Sequence, residues 1–170
     1  MTQIMNSNMN IMALETPPKP SLRLYMLWGE KKIRQMVRYH HYLLRLSDRP
    51  DFFSEDESEF EHATLKTADF FIEVLSKGRF SQDPYPYPAL KMRHFQITVD
   101  EDARDIWLNA YKTAIRELNM PSECIEDFWN WIEPLSLWFV NRRNLPEIPR
   151  YPYKDIWLEF VDLKHMKRCS

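Results

Sequence analysis

The sequence predicts an all-α fold for its 170 residues, and two observations lead to that prediction. First, apolar side chains recur at the i, i+3, i+4, i+7, i+8, i+11 spacing of a helix with one buried face, most clearly at Trp107, Ala110, Tyr111, Ala114, Ile115 and Leu118. Second, prolines gather between such stretches, as in the segment 81–88, where they oppose a continuous helix. The length of the chain suits one domain.

The elements can be assigned in order along the chain. Residues 1–20 are polar, rich in methionine and end in prolines, so we expect an irregular N-terminal arm. The main domain is expected at 21–143, followed by a proline-rich C-terminal extension at 144–170 that holds one short helix. Within the main domain, helices are expected over residues 21–47, 57–77, 88–94, 99–119 and 122–143.

Local signals support three of these helix positions. Pro88 suits the first position of a short helix, because its φ is already helical and its missing N–H would be unpaired there. Thr98 and Glu101 have the spacing of a capping box, which predicts a helix start near residue 99. Pro134 falls inside the last predicted helix and should bend or restart it.

Composition argues against several classes of protein. Basic and acidic residues nearly balance, 23 against 25, and no block of like charge suggests nucleic-acid binding. Cys124 and Cys169 are far apart and show no metal-ligand or redox spacing. The sequence has no run of about 18 apolar residues and no signal-peptide pattern at its start. We therefore expect a cytoplasmic protein that binds neither nucleic acid nor a membrane.

The segment from Pro88 to His94 carries the strongest functional signal. Leu90 supplies apolar atoms and Arg93 supplies a positive charge, so the segment suits an apolar ligand that carries anionic groups at its edge. A neutral imidazole such as that of His94 offers a lone pair that suits iron, and axial histidine commonly holds haem. The aromatic content of 14% is high. It suits a flat apolar ligand, but large rings that fill an ordinary helical core explain it equally well.

The run Pro-Ala-Leu-Lys-Met-Arg-His, ending at His94, and the run Arg-Asp-Ile-Trp-Leu at 104–108 resemble the proximal-histidine region of truncated haemoglobins. The resemblance is closest to group II, with some group III character. Trp-Ile-Glu at 131–133 and Val-Asn at 140–141 resemble the last core helix of that family. Asp69, Phe70 and Phe71 resemble its distal helix, which adds Phe70 to the candidate site.

The two glycines of the chain extend this resemblance, which covers roughly residues 25–143. Gly29 and Gly78 stand where truncated globins tend to carry glycine pairs, at the start of the first long helix and after the distal helix. Each pair has lost one glycine here, so the chain resembles a divergent member. The resemblance implies the 2-over-2 helical sandwich of truncated globins, with terminal extensions.

The resemblance also implies roles for individual residues. His94 would be the proximal ligand of a haem b held without covalent attachment, and Trp107 would line the distal side. Phe52 or Phe53 would wedge the haem near the turn after the first long helix, and both remain open. For the haem propionates, the candidate partners are Arg93 and Lys66.

The distal side departs from the family pattern. Helical periodicity places His40 and His41 on the inward face of the first long helix, where buried imidazoles need a partner. The resemblance aligns the usual distal tyrosine with His41, while Tyr42 follows one residue later, so the phenol is either replaced or shifted. His62 is a further distal candidate, because group III relatives carry a histidine in a similar Glu-His setting.

Three functions remain open from the sequence. The first is a haem globin that binds or processes a diatomic gas, oxygen or nitric oxide. In the second, His41 or His62 binds the iron as a sixth ligand and the protein serves sensing or electron transfer, where a redox partner would be needed. The third is a haem-free helical interaction protein. An enzymatic activity does not follow from a globin fold alone.

Overall fold

The computed structural model describes residues 17–79, 82, 94 and 97–161, and these residues form helices and connections without any strand. The long helices fall where the sequence predicts them, which confirms an all-α fold. The helical elements are α1 (Arg23–Arg45), a 3₁₀ turn (Pro50–Phe52), α2 (Glu57–Lys77), α3 (Glu101–Glu117), α4 (Ser122–Phe139) and α5 (Tyr153–Ile156).

Two glycines shape the ends of α1 and α2. Gly29 has φ +75° and ψ 165°, so it separates the first turns of α1 from the longer part that follows. Gly78 caps α2 with φ +64°, and its N–H donates to the carbonyl of Val74 at 3.2 Å. L-residues with a side chain rarely adopt this conformation, so glycine is needed at both places. A Cβ at residue 78 would also lie 2.7 Å from Cγ of Leu22.

The start of α3 differs from the predicted capping box. Asp100 is the N-cap, and its carboxylate accepts from the N–H of Ala103 at 2.9 Å. Glu101 does not reach back to the helix start, because its carboxylate accepts from the backbone N–H groups of Asn144 and Leu145. A pairing across more than forty residues replaces the local one, so the predicted capping box was wrong.

Two helix pairs build the domain. α1 packs along α2 and also contacts α3, while α3 packs on α4, so α1 links the two pairs. The continuous core between them is rich in aromatic side chains, and its largest fully buried members include Trp129, Trp131, Tyr111, Phe71 and Phe128. α4 continues through Pro134 and ends at Phe139, so the predicted restart at that proline does not occur. None of the helices in the described part of the chain is long and apolar enough to cross a membrane.

The C-terminal extension packs on α4. Trp129 donates its indole N–H to the carbonyl of Tyr151 at 2.7 Å, and Arg150 pairs with Glu133 at 2.8 Å. Phe160 is buried, whereas Trp157 keeps 41% of its surface exposed. The extension therefore contributes both apolar and polar contacts to the back of the helical core.

Candidate functional site

A cavity of about 360 Å³ lies among α1, the 3₁₀ turn, α2, α3, α4 and the segment that carries His94. Its size is within the range of pockets that hold cofactors and small molecules. Most of its walls are apolar or aromatic. The described residues that line it are His41, Leu44, Phe52, Phe53, His62, Ala63, Lys66, Thr67, His94, Ile97, Val99, Ala103, Arg104, Trp107, Ser136 and Phe139.

His94 forms part of this wall and is half-buried. Its ring stacks on Phe139 with centroids 4.3 Å apart and planes at 30°. Its backbone carbonyl accepts from the N–H of Ile97 at 3.1 Å and from the side-chain amide of Asn141 at 3.2 Å. Both the ring and the peptide of His94 are therefore held against the end of α4.

His41 lines the same cavity from α1 and is 5% exposed. Its Nδ1 lies 3.0 Å from the hydroxyl of Thr64 on α2, and its ring centroid lies 4.7 Å from that of Phe53. Burial, with a smaller contribution from the nearby His94, lowers the pKa of His41 to about 3. His41 is therefore a neutral imidazole near neutral pH.

His40 is also buried, but it serves the helices and does not line the cavity. Its Nε2 donates to the backbone carbonyl of Trp107 at 3.0 Å, and its ring stacks on Tyr111 with centroids 3.6 Å apart. This hydrogen bond leaves Nδ1 as the lone-pair nitrogen, and Nδ1 is buried without a partner. Burial, with the neighbouring His41, holds the pKa of His40 well below its usual range.

Trp107 reaches the cavity from α3. Its ring meets Tyr111 edge to face with centroids 4.6 Å apart, and His40 in a similar arrangement at 5.3 Å. The backbone carbonyl of Trp107 accepts the hydrogen bond from His40, so α1 helps to fix the backbone of this tryptophan. Ring contacts on several sides restrict its rotamer.

The other predicted site residues differ in where they lie. Phe52 and Phe53 both line the cavity, and which of them would wedge a haem stays a prediction. His62 and Lys66 are exposed on α2 and lie at the cavity rim. Leu90 and Arg93 lie outside the described residues.

Tyr42 and Phe70 lie away from the cavity. Tyr42 is 51% exposed and stacks on Tyr39 with centroids 6.5 Å apart, on the outer side of α1. The position of Tyr42 therefore does not support the alternative in which its phenol replaces the usual distal tyrosine one residue further along α1. Phe70 is buried against Phe71 and Trp131 and is not among the described residues that line the cavity.

The residues that sequence reasoning missed include Thr64, which contacts His41, and three that line the cavity: Arg104, Ser136 and Phe139. Two of them had a detectable signal. Thr64 stands four residues before the apolar stripe of α2 begins at Ala68, and Arg104 stands three residues before Trp107 on the buried face of α3. A polar residue in such a stripe suggests a buried partner. The partners themselves lie on other helices and could not be identified from the sequence.

Arg104 belongs to a buried ion-pair cluster beside the cavity. Its guanidinium is 1% exposed and donates to Glu133 at 2.7 Å, to the hydroxyl of Ser136 at 2.7 Å and to the carbonyl of Pro149 at 2.6 Å. Burial acts to raise the pKa of Glu133, but hydrogen bonds from Arg150 and the Tyr151 N–H and the two positive charges outweigh it and leave that pKa lowered. The cluster ties α3, α4 and the C-terminal extension together.

The two buried histidines of α1 should make stability depend on pH. An unfolded histidine titrates near pH 6.5, whereas His41 does so at about 3, so the unfolded state binds more protons between these values. The stability that the neutral His41 contributes is therefore fully present above pH 6.5 and is lost as the pH falls through this window, by at most about 1.4 kcal/mol per pH unit, and His40 acts in the same direction. Urea unfolding between pH 7 and 5 measures the slope.

The variant His41→Leu is the control for that slope. It removes one of the two titrating groups and places an apolar side chain at the buried position. The free energy of unfolding of the variant should therefore change less steeply with pH. Equal slopes for the variant and the parent would contradict a neutral, buried His41.

The helical fold and the histidine-bearing apolar cavity together define a globin. The family model described as bacterial-like globin matches residues 24–141, and the chain belongs to that family. The expected truncated-globin fold is confirmed by the crystal structure of phosphate-bound Hell's gate globin IV. The two are 32% identical and superpose with a TM-score of 0.80 over 94% of this chain and 100% of that chain. The search of curated proteins found no match.

Proposed function

We propose that the cavity holds haem b without covalent attachment, with His94 as the axial ligand, and that the protein binds oxygen or nitric oxide there. The observation that carries this proposal is the position of His94 in the wall of an apolar cavity that His41 and Trp107 also line. Haem binding agrees with membership of the globin family. When bound, haem iron supplies the coordination position for a diatomic gas, and the protein sets its surroundings.

The residues present fit a haem. A porphyrin already provides four ligands to its iron, so it needs one imidazole and flat apolar walls from the protein. His94 provides the imidazole, while Phe52, Phe53 and Phe139 provide aromatic surface. At the rim, Lys66 provides a positive charge suited to a propionate. Because the sequence contains no Cys-Xaa-Xaa-Cys-His motif, no covalent attachment of c type is expected.

His41 supports a hydrogen bond to the gas. Its Nδ1 is engaged with Thr64, so Nε2 is the ring nitrogen left for a ligand. If the Thr64 hydroxyl donates to Nδ1, the proton of the neutral ring is on Nε2 and can be donated to the gas. Trp107 has an indole N–H that could serve as a second donor. Both side chains are held in place by their contacts, which favours a defined geometry.

Replacing His41 with leucine should speed oxygen release by about fivefold to tenfold. A net hydrogen bond is worth about 1–1.5 kcal/mol, and each 1.4 kcal/mol corresponds to about a factor of ten. Stopped-flow displacement of oxygen by carbon monoxide measures the rate. Tyr42→Phe is the matched control, since Tyr42 lies one residue away on the outer face and should leave the rate unchanged. An unchanged rate in His41→Leu would move the role to Trp107 or His62.

A six-coordinate globin is the second candidate, and the position of His41 favours considering it. His41 and His94 line one cavity and influence each other electrostatically. If Nδ1–H instead donates to the Thr64 hydroxyl, Nε2 carries a lone pair that could bind iron. The ferrous, gas-free absorption spectrum separates the two candidates, because it distinguishes five-coordinate iron, which supports gas binding, from six-coordinate iron, which supports sensing or electron transfer.

Titration of the purified protein with hemin tests the whole proposal. One equivalent should produce a Soret band that saturates, and a protein that stays colourless would favour the haem-free interaction protein instead.

A further inference from the structure

The side chain of Asn141, just after α4, joins that helix to the segment that carries His94. Its Nδ2 donates to the carbonyl of Ile97 at 2.7 Å and to the carbonyl of His94 at 3.2 Å. Its Oδ1 accepts from the N–H of Val99 at 2.9 Å, and its own backbone N–H donates to the Val99 carbonyl, also at 2.9 Å. One residue therefore holds four backbone groups, which belong to His94, Ile97 and Val99.

The amide side chain is suited to this task. Asparagine has two N–H donors and a carbonyl acceptor on one short stem, and the three side-chain bonds use all of them. An aspartate at the same place would keep the bond to Val99 but would point a carboxylate at the carbonyls of His94 and Ile97. A serine could not make all three contacts. The contacts of Asn141 therefore depend on the amide itself.

These contacts converge on His94. The His94 carbonyl accepts both from Asn141 and from the N–H of Ile97, so two donors hold it. Two residues before Asn141, Phe139 stacks on the ring of His94. The last part of α4 and the residue that follows it thus restrain the ring and the peptide of the same histidine from two directions.

We propose that Asn141 is a positioning residue for His94: by fixing the His94 peptide, it sets the orientation and freedom of the imidazole toward the haem iron. The inference rests on the proposed role of His94 as axial ligand. Groups that hold a ligating histidine tune the metal as well as the ligand. Asn141 therefore affects the strength of the iron–imidazole bond and the rate at which a gas binds, although it does not line the cavity.

The test compares Asn141→Ala and Asn141→Asp with the parent protein. Both should shift or broaden the iron–imidazole stretching band of the ferrous, gas-free protein and change carbon monoxide association several-fold. Because Asn141 is exposed, neither variant leaves a buried cavity, so both should fold. Asn144→Ala is the matched control: Asn144 lies three residues further on and bonds Glu101 instead. It should leave the band and the rate unchanged.

The same substitution in a His94→Gly variant separates an effect on the position of His94 from a general loosening of the cavity. In His94→Gly with added imidazole, the ligand is no longer joined to the backbone, so adding Asn141→Ala should change neither the band nor the rate. An equal change in both backgrounds, or no change in the first, would overturn the inference. If His94→Gly without imidazole keeps the parent spectrum, His94 is not the ligand, and the proposed role and this inference both fail.

Discussion

Replacing His94 with glycine is expected to abolish stoichiometric haem retention, and added imidazole should restore it. In the proposed site His94 would provide the bond to the iron, and the remaining described walls offer mainly apolar contact. The loss should be visible as a fall in the ratio of Soret to protein absorbance after gel filtration. Imidazole occupies the space that the side chain leaves and supplies the same donor atom, so the Soret band should return.

His62→Ala is the control for this experiment. His62 is an exposed histidine at the rim of the same cavity, and its loss should leave haem retention unchanged. A His94→Gly protein that keeps haem with the parent spectrum and ignores imidazole would show that another group holds the iron. His41, which lines the same cavity, would then become the first candidate.

Replacing Glu133 with alanine should lower the free energy of unfolding by about 3–5 kcal/mol, the loss typical of breaking a buried ion pair by removing one partner. Arg104 is 1% exposed and would lose the one carboxylate that balances its charge in this cluster. The backbone N–H of Tyr151 and the side chain of Arg150 would lose the same acceptor. Urea unfolding at neutral pH measures the change.

Two matched variants show whether burial causes that loss. Arg150→Ala removes a partner of Glu133 whose side chain is 56% exposed, so Glu133 keeps its buried bond to Arg104 and the cost should be much smaller. Glu126→Ala removes an exposed carboxylate from the same helix and should change stability by less than about 0.5 kcal/mol. Equal losses in all three would contradict a special role for the cluster.

The stripe from Trp107 to Leu118 shows why the helices could be predicted. A helix repeats every 3.6 residues, so a helix with one buried face has apolar residues every three or four positions along the chain. The same reasoning applies to α2, whose observed ends, Glu57 and Lys77, match the predicted ones. Gly78 caps that helix for a local reason, because it adopts a positive φ. Such features depend on a few consecutive residues and can be found without a structure.

Glu101 shows where this local reasoning fails. Its spacing from Thr98 fits a capping box, yet it bonds the backbone at Asn144 and Leu145. Arg104 and Glu133, and likewise Asn141 and His94, are also separated by tens of residues. No local pattern encodes which of several polar residues will meet after folding.

The sequence by itself determined the helices, the candidate histidine at position 94 and the resemblance to truncated globins, because each of these depends on residue types at short spacing. Helical periodicity placed both His40 and His41 inward and only the resemblance pointed to His41, so it took the tertiary structure to show which of the two lines the cavity. The two are neighbours on one helix, and successive residues point about 100° apart. Packing against Tyr111 and the Trp107 carbonyl takes His40 into the core, while α2 offers Thr64 to His41 at the cavity wall. That choice depends on where other helices lie, which a local pattern does not contain.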